Sequence, residues 1–387
     1  MPNDNMLFPP RFIGYGAYNL CFDKDLGKAS ASSKDFFQYV HDRAPAVNLV
    51  KVICFRRATL EGLPRITYDS AGAPNGRTQP LFKLNKKINP GFLDNLLALV
   101  KRAKELNFWV QVCIFHEHAV KVASSPACAD KPEDKLECIE DPENVPDILN
   151  PRLKGNGETN CQRLTNFFNI VDAERHKQQL SIVSQIAGKL RWETNVLFEI
   201  ANEVRIQGCA AADNKTRNCK IVPWLNSMSD AILSAIFWDF EPDGVSTVLD
   251  NEAMTFARQR PIDGCSEERF QPAFFDFHSG QWKASDEVNV YTAGIEAAKQ
   301  RVLAYRNSPP TTPRAHLIIN DDGQNWDDED TPPEMIANAN RIKKWAGVAF
   351  SKGLSYASKQ QYPPGRQWDN YALDALQYAH DHNPIPQ

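Results

Sequence analysis

Apolar positions recur along this chain in two alternating rhythms. Near-continuous apolar runs such as "VNLVKVICF" (47–55), "FWVQVCIFH" (108–116) and "NVLFEIANE" (195–203) predict strands buried on both faces. Between them lie stretches with helical spacing. In "NPGFLDNLLALVKRAKELN" (89–107) the apolar residues Phe92, Leu93, Leu96, Leu97, Val100 and Ala103 fall on one helical stripe. "RFIGYGAYNL" (11–20) predicts the first strand, and "SSKDFFQYVHDRA" the first helix, with Ser32 and Ser33 as candidate caps.

The alternation continues after a polar loop at about 119–165. "NIVDAERHKQQLSIVSQIAGKLRWE" predicts a helix before the strand at 195, and a further helix is expected around 224–238 after a loop at about 206–223. The second half repeats the unit four times. Its strands are "VSTVLDN", "AFFDFHSG", "HLIINDDG" and "LSYAS", each followed by a helical pattern near 251–258, 291–306, 332–353 and 370–382. Eight strand–helix units predict an α/β protein whose parallel sheet closes into a (β/α)8 TIM barrel, one domain over residues 1–387. A doubly wound open sheet is the alternative, but the first turn, "GYGAYN", lacks the Gly-x-Gly-x-x-Gly phosphate pattern.

Composition narrows the function. A hydrophobic share of 42% supports a substantial core, and a net charge of -4 without any Lys/Arg run gives nucleic acid no electrostatic footing. No apolar stretch approaches the ~18 residues of a membrane span, so the expected protein has no membrane partner. "MPNDNMLFPP" lacks the basic and apolar regions of a signal peptide. Two polar windows, "CADKPEDKLEC" (Cys128, Cys138) and "CAAADNKTRNC" (Cys209, Cys219), each carry a cysteine at both ends and suggest disulfide-closed loops. A secreted or periplasmic protein is then expected, its signal removed before numbering begins, and a monomer. Cys54 and Cys113, inside apolar strands, are expected to be buried free thiols. Intact-mass measurement of unreduced, unfolded protein after alkylation should show both loops closed; nine alkylated thiols would remove the staples and the export expectation with them.

In a barrel of this kind the active site sits at the C-terminal ends of the strands, so the polar residues ending each strand carry the chemistry. Strand 2 ends near Arg56 and Arg57, strand 3 at His116, Glu117 and His118, and strand 4 at Asn202 and Glu203. Strand 5 ends at Asp250 and Asn251, strand 6 at Asp276, His278 and Gln281, strand 7 at Asn320, Asp321 and Asp322, and strand 8 at Ser358. Carboxylates on strands 4 and 7 face each other across the mouth. That opposition suits glycosidic cleavage, in which one carboxyl protonates the leaving oxygen and the other attacks or stabilises an oxocarbenium-like centre.

"FEIANE", with the basic residue after strand 2 and the histidines after strands 3 and 6, resembles glycoside hydrolase clan A, the retaining barrel glycosidases that include the family 5 cellulases and mannanases. The resemblance implies Glu203 as acid/base and a strand-7 carboxylate, here Asp321 instead of glutamate, as nucleophile. It implies substrate contacts from Asn202, Arg56, His116 and His278, an oligo- or polysaccharide substrate, and neither cofactor nor metal. Trp282 and Trp326 are expected to stack on sugar faces, with Trp224 and Trp368 as further candidates. The chain departs from the clan at Val204, at Gly280 and in "LSYASKQQ", which has no tryptophan.

Two other classes stay open on the residues alone. Loss of the usual glutamate at 321 would suit a barrel that binds carbohydrate without cleaving it. His116 and His118, both on one side of a strand, would suit a metal-dependent hydrolase together with Asp321 or Asp322. Glu199 is expected in a structural salt bridge, turned away from Asn202 or toward the helix layer.

Overall fold

The computed structural model describes residues 11–27, 34–55, 67–68, 70, 74–75, 78–83, 87–116, 165–202, 214–236, 247–250, 274–278, 316–321, 331–358 and 367–383. Among these residues there are ten strands: β1 (Ile13–Gly16), β2 (Leu49–Phe55), β3 (Thr67–Tyr68), β4 (Pro74–Asn75), β5 (Trp109–His116), β6 (Val196–Asn202), β7 (Thr247–Asp250), β8 (Phe274–His278), β9 (His316–Asp321) and β10 (Ser355–Ser358). β3 and β4 form a small antiparallel pair. The other eight join in the order β1-β10-β9-β8-β7-β6-β5-β2, and β1 pairs with β2 to close the ring. Every pairing in the ring is parallel.

The described helices are α1 (Phe36–Arg43), α2 (Pro90–Glu105), α3 (Ala173–Leu190), α4 (Asn214–Ile236), α5 (Pro332–Ser351) and α6 (Gln367–His382). They follow the first four and the last two strands of the ring. The helices expected near 251–258 and 291–306 lie outside the described residues, as do the loop 119–165 and Cys128, Cys138 and Cys209.

Local chemistry starts each helix where it does. α1 is capped not by Ser32 or Ser33 but by Asp35, whose carboxylate accepts from the Gln38 amide. Asn89 caps α2 and Pro90 fills its first turn, where a missing N–H costs nothing. Thr331 and Glu334 form a capping box at the start of α5. α4 begins at Asn214, not at 224, so the expected 206–223 loop gives up its second half to helix. Pro223 is the reason for the misplaced boundary: it sits inside α4, where proline normally ends a helix.

The barrel interior is built in tiers. Its floor is Phe12, Leu49, Leu197 and Ala357, with Trp109 packed against them. Gly14 lies in this tier because nothing larger fits: a Cβ there would stand 2.6 Å from the Ala357 Cβ. Two residues further along the strands the interior turns polar, with Lys51, Gln111 and Glu199 all buried. Beyond it Tyr18, Ile53 and Cys113 form a third, apolar tier. Cys21, Cys54 and Cys113 are buried free thiols, as expected for the latter two.

Outside the ring, Phe55, Phe115, Phe167, Phe168 and Trp224 interlock at 5.0–5.9 Å centroid distances and weld β2 and β5 to α4. Trp224 is therefore core and not a sugar platform. It is fully buried and its Nε1 donates to Gln179 Oε1 at 2.9 Å.

Candidate active site

All eight ring strands run in one direction, so their last residues share one rim. The register places His116 beside Asn202, His278 beside Asn320, and Asp321 beside Ser358. β6 and β9 are separated by β7 and β8, which sets the ends of strands 4 and 7 across the mouth from each other. Glu203 follows Asn202 directly in the chain. Glu203, Arg56, His118, Asp322, Trp282 and Trp326 lie outside the described residues. Among those described, no three metal-ligating side chains gather, and no helix is long and apolar enough to cross a membrane.

The best-defined part of the site is beneath Asn202. The Lys51 ammonium lies 3.0 and 2.9 Å from the two carboxylate oxygens of Glu199 and donates to Asn202 Oδ1 at 2.7 Å. Gln111 Nε2 donates to the second Glu199 oxygen at 3.0 Å. None of the four residues is more than 3% exposed. The expected Glu199 salt bridge is present, but it points into the barrel and toward Asn202, not toward the helices. A regular strand sends residues three apart to opposite faces. Since one ammonium meets both Glu199 and Asn202, β6 departs from strict alternation at its end and turns Asn202 back to the interior.

Asn202 makes one hydrogen bond, through its oxygen, and its Nδ2 donates to no group among the described residues. A second such group stands at the end of β10. Ser358 is buried and its Oγ has no hydrogen-bond partner among the described residues.

On the β9 side, Asn320 is in register with Ala357 of the barrel floor, whereas Asp321 is in register with Ser358, which pairs in turn with Tyr15. The row of Tyr15 faces the helices, its phenol donating to Asp369 on α6. Burial and the neighbouring Asp369 push the Tyr15 phenol well above its ordinary pKa, so it stays a donor.

Sequence reasoning missed Lys51 and Gln111. The signal was present: "LVKVICF", "WVQVCIF" and "VLFEIAN" each carry a single polar residue amid apolar ones, and Lys51 and Gln111 are register partners. Removing one partner of a buried ion pair strands the other, so Lys51→Ala should lower unfolding free energy by about 3–5 kcal/mol in urea melts. A loss under about 1 kcal/mol would show that the pair is solvated.

No protein-family model matches the sequence, and comparison with curated proteins finds no match. Comparison with solved structures places the chain in a class: the fold is the barrel of glycoside hydrolase family 5 structures. A family 5 enzyme from Prevotella bryantii B14 superposes with a TM-score of 0.54 at 10% identity over 96% of each chain. Endo-glycoceramidase II from Rhodococcus sp. gives 0.56 at 12% identity over 95% of this chain and 78% of its own. A Bacteroidetes-affiliated family 5 cellulase gives 0.54 at 12% identity over 97% and 96%. At these identities the likeness establishes the fold.

Proposed function

We propose that the protein is a glycoside hydrolase that cleaves a β-linked oligo- or polysaccharide on a complete (β/α)8 barrel, with Glu203 as acid/base and Asp321 as nucleophile. The observation that carries this reading is the Asn202 amide. It is buried at the end of strand 4, anchored through its oxygen, and its N–H pair has no acceptor among the described residues, one residue before Glu203 in the chain. An acceptor hydroxyl on the sugar carbon next to the reacting one satisfies that donor, and such contacts strengthen toward the transition state. Across the ring, β9 ends in Asp321, which supplies the second carboxylate.

Arg56, His116 and His278 are proposed to line the same mouth, with Trp282 and Trp326 stacking on sugar faces. The fold's neighbours are in keeping with a glycan ligand, since a variant of the Prevotella enzyme is in complex with a xyloglucan tetradecasaccharide. The two cysteine-bounded windows favour a secreted or periplasmic setting.

Incubation with a panel of aryl β-glycosides and of plant and microbial polysaccharides tests the reading. Release from at least one substrate is expected. Glycan binding without release from any would favour a binding barrel that has lost its nucleophile, the reading to which Asp321 also lends itself. Activity that disappears on chelation and returns with added metal would favour a metal-dependent hydrolase using His116 and His118.

A further inference from the structure

We infer that Lys51 is a positioning residue, which acts on the reaction through Asn202 by fixing which end of its amide faces the mouth. The inference rests on the glycosidase reading for its consequence in catalysis, but its geometry stands independently. An asparagine amide is nearly symmetric in shape, and nothing in its size decides whether oxygen or nitrogen points outward. A lysine ammonium is a donor only. Placed 2.7 Å from Asn202 Oδ1, it accepts no flipped amide, because the flip would set N–H groups against an ammonium.

The ammonium itself is fixed. Glu199 holds it through both oxygens, and Gln111 holds Glu199, in a tier bounded below by Leu49 and Leu197 and above by Ile53 and Cys113. The chain therefore spends a buried ion pair between two tiers whose described residues are apolar, and the group that emerges from it toward the rim is the amide of Asn202. The device makes Asn202 an obligate donor: it selects a substrate atom with a free lone pair, a sugar hydroxyl oxygen, and leaves that hydroxyl's own hydrogen free for the carboxylate across the site.

The test uses Lys51→Met combined with Glu199→Leu, which removes both charges and replaces them with apolar groups of similar bulk, so neither charge is left stranded. Two substrates are compared: an aryl β-glycoside that the wild type cleaves, and its 2-deoxy counterpart. The variant should unfold in a single transition near that of the wild type. Its kcat/KM should fall about 10- to 100-fold on the hydroxylated substrate and change by no more than about 3-fold on the 2-deoxy one. Equal losses on both, or no loss on the first, would overturn the inference.

Should the double variant not fold, Lys51→Gln combined with Glu199→Gln removes both charges while keeping hydrogen-bonding groups in the tier, gives Asn202 a neighbour that can donate or accept, and should show the same selectivity in smaller measure. The side-chain amide of Asn202 gives a readout that needs no turnover. In 15N spectra it should be one sharp, inequivalent NH2 pair in the wild type and exchange-broadened in the variant; an amide equally sharp in both would also overturn the inference. If the wild type cleaves neither substrate, the glycosidase reading falls and the amide spectra alone decide the role of Lys51.

Discussion

Turnover of glycosides with poor leaving groups should fall by about 10²- to 10⁴-fold in Glu203→Gln, while activated aryl glycosides lose far less in the bond-breaking step. The inequality follows from the role. A departing alkoxide needs a proton, whereas a nitrophenolate leaves almost unaided. Glu203 follows an asparagine whose orientation is fixed by Lys51, so the glutamine variant should keep substrate affinity and lose chemistry: kcat falls and KM stays. Initial rates on a leaving-group series check this. A uniform loss across the series would place Glu203 in binding or folding instead of proton transfer.

Asp321→Asn should cost on the order of 10³-fold or more in kcat on every substrate, because removal of a nucleophile spares none of them. The expectation is sharpened by the strand's register. Strict alternation would assign the interior row to Asn320, which pairs with Ala357, and the helix-facing row to Asp321, which pairs with Ser358. Asp321 acts if the end of β9 turns inward as β6 does between Glu199 and Asn202. The neighbouring variant Asp322→Asn is the internal control and should retain most activity. If Asp322→Asn is the dead variant and Asp321→Asn is not, β9 keeps strict alternation and the nucleophile is one residue further along.

Much of this architecture was legible in the sequence because parallel barrel strands, buried on both faces, are continuous apolar runs, and those runs fixed the strand positions to within a few residues. Boundaries set by one ambiguous residue were not. The helix expected around 224–238 begins at Asn214, with Pro223 inside it. Trp224 read as a loop aromatic, because an indole serves a sugar platform and a helix–sheet core equally well and only burial separates them. Asn202 was legible from its place after the fourth apolar run. The support beneath Asn202 was not, since Lys51 and Glu199 are 148 positions apart and meet only when the ring brings β2 and β6 to either side of β5. A lone lysine within "LVKVICF" is the sign to look for: a charge in a doubly buried strand must have a partner.

Ser358 extends the same lesson. The resembling clan carries a tryptophan at the end of strand 8, and this chain has a buried serine whose hydroxyl has no partner among the described residues, beside the register position of Asp321. In the proposed site a shorter nucleophile, Asp321, would end the strand next to a smaller residue, Ser358, while strand 4 keeps the Asn-Glu sequence.

The central claim, cleavage of a β-glycosidic bond by two opposed carboxylates with Asp321 as nucleophile, is tested most directly by the configuration of the first product. Proton NMR of wild-type protein digesting a β-linked oligosaccharide, recorded before mutarotation, should show the β-anomer appear first and the α-anomer grow in later, as a covalent glycosyl-enzyme requires. An α-anomer appearing first, or no new anomeric signal from any β-linked substrate, would contradict it.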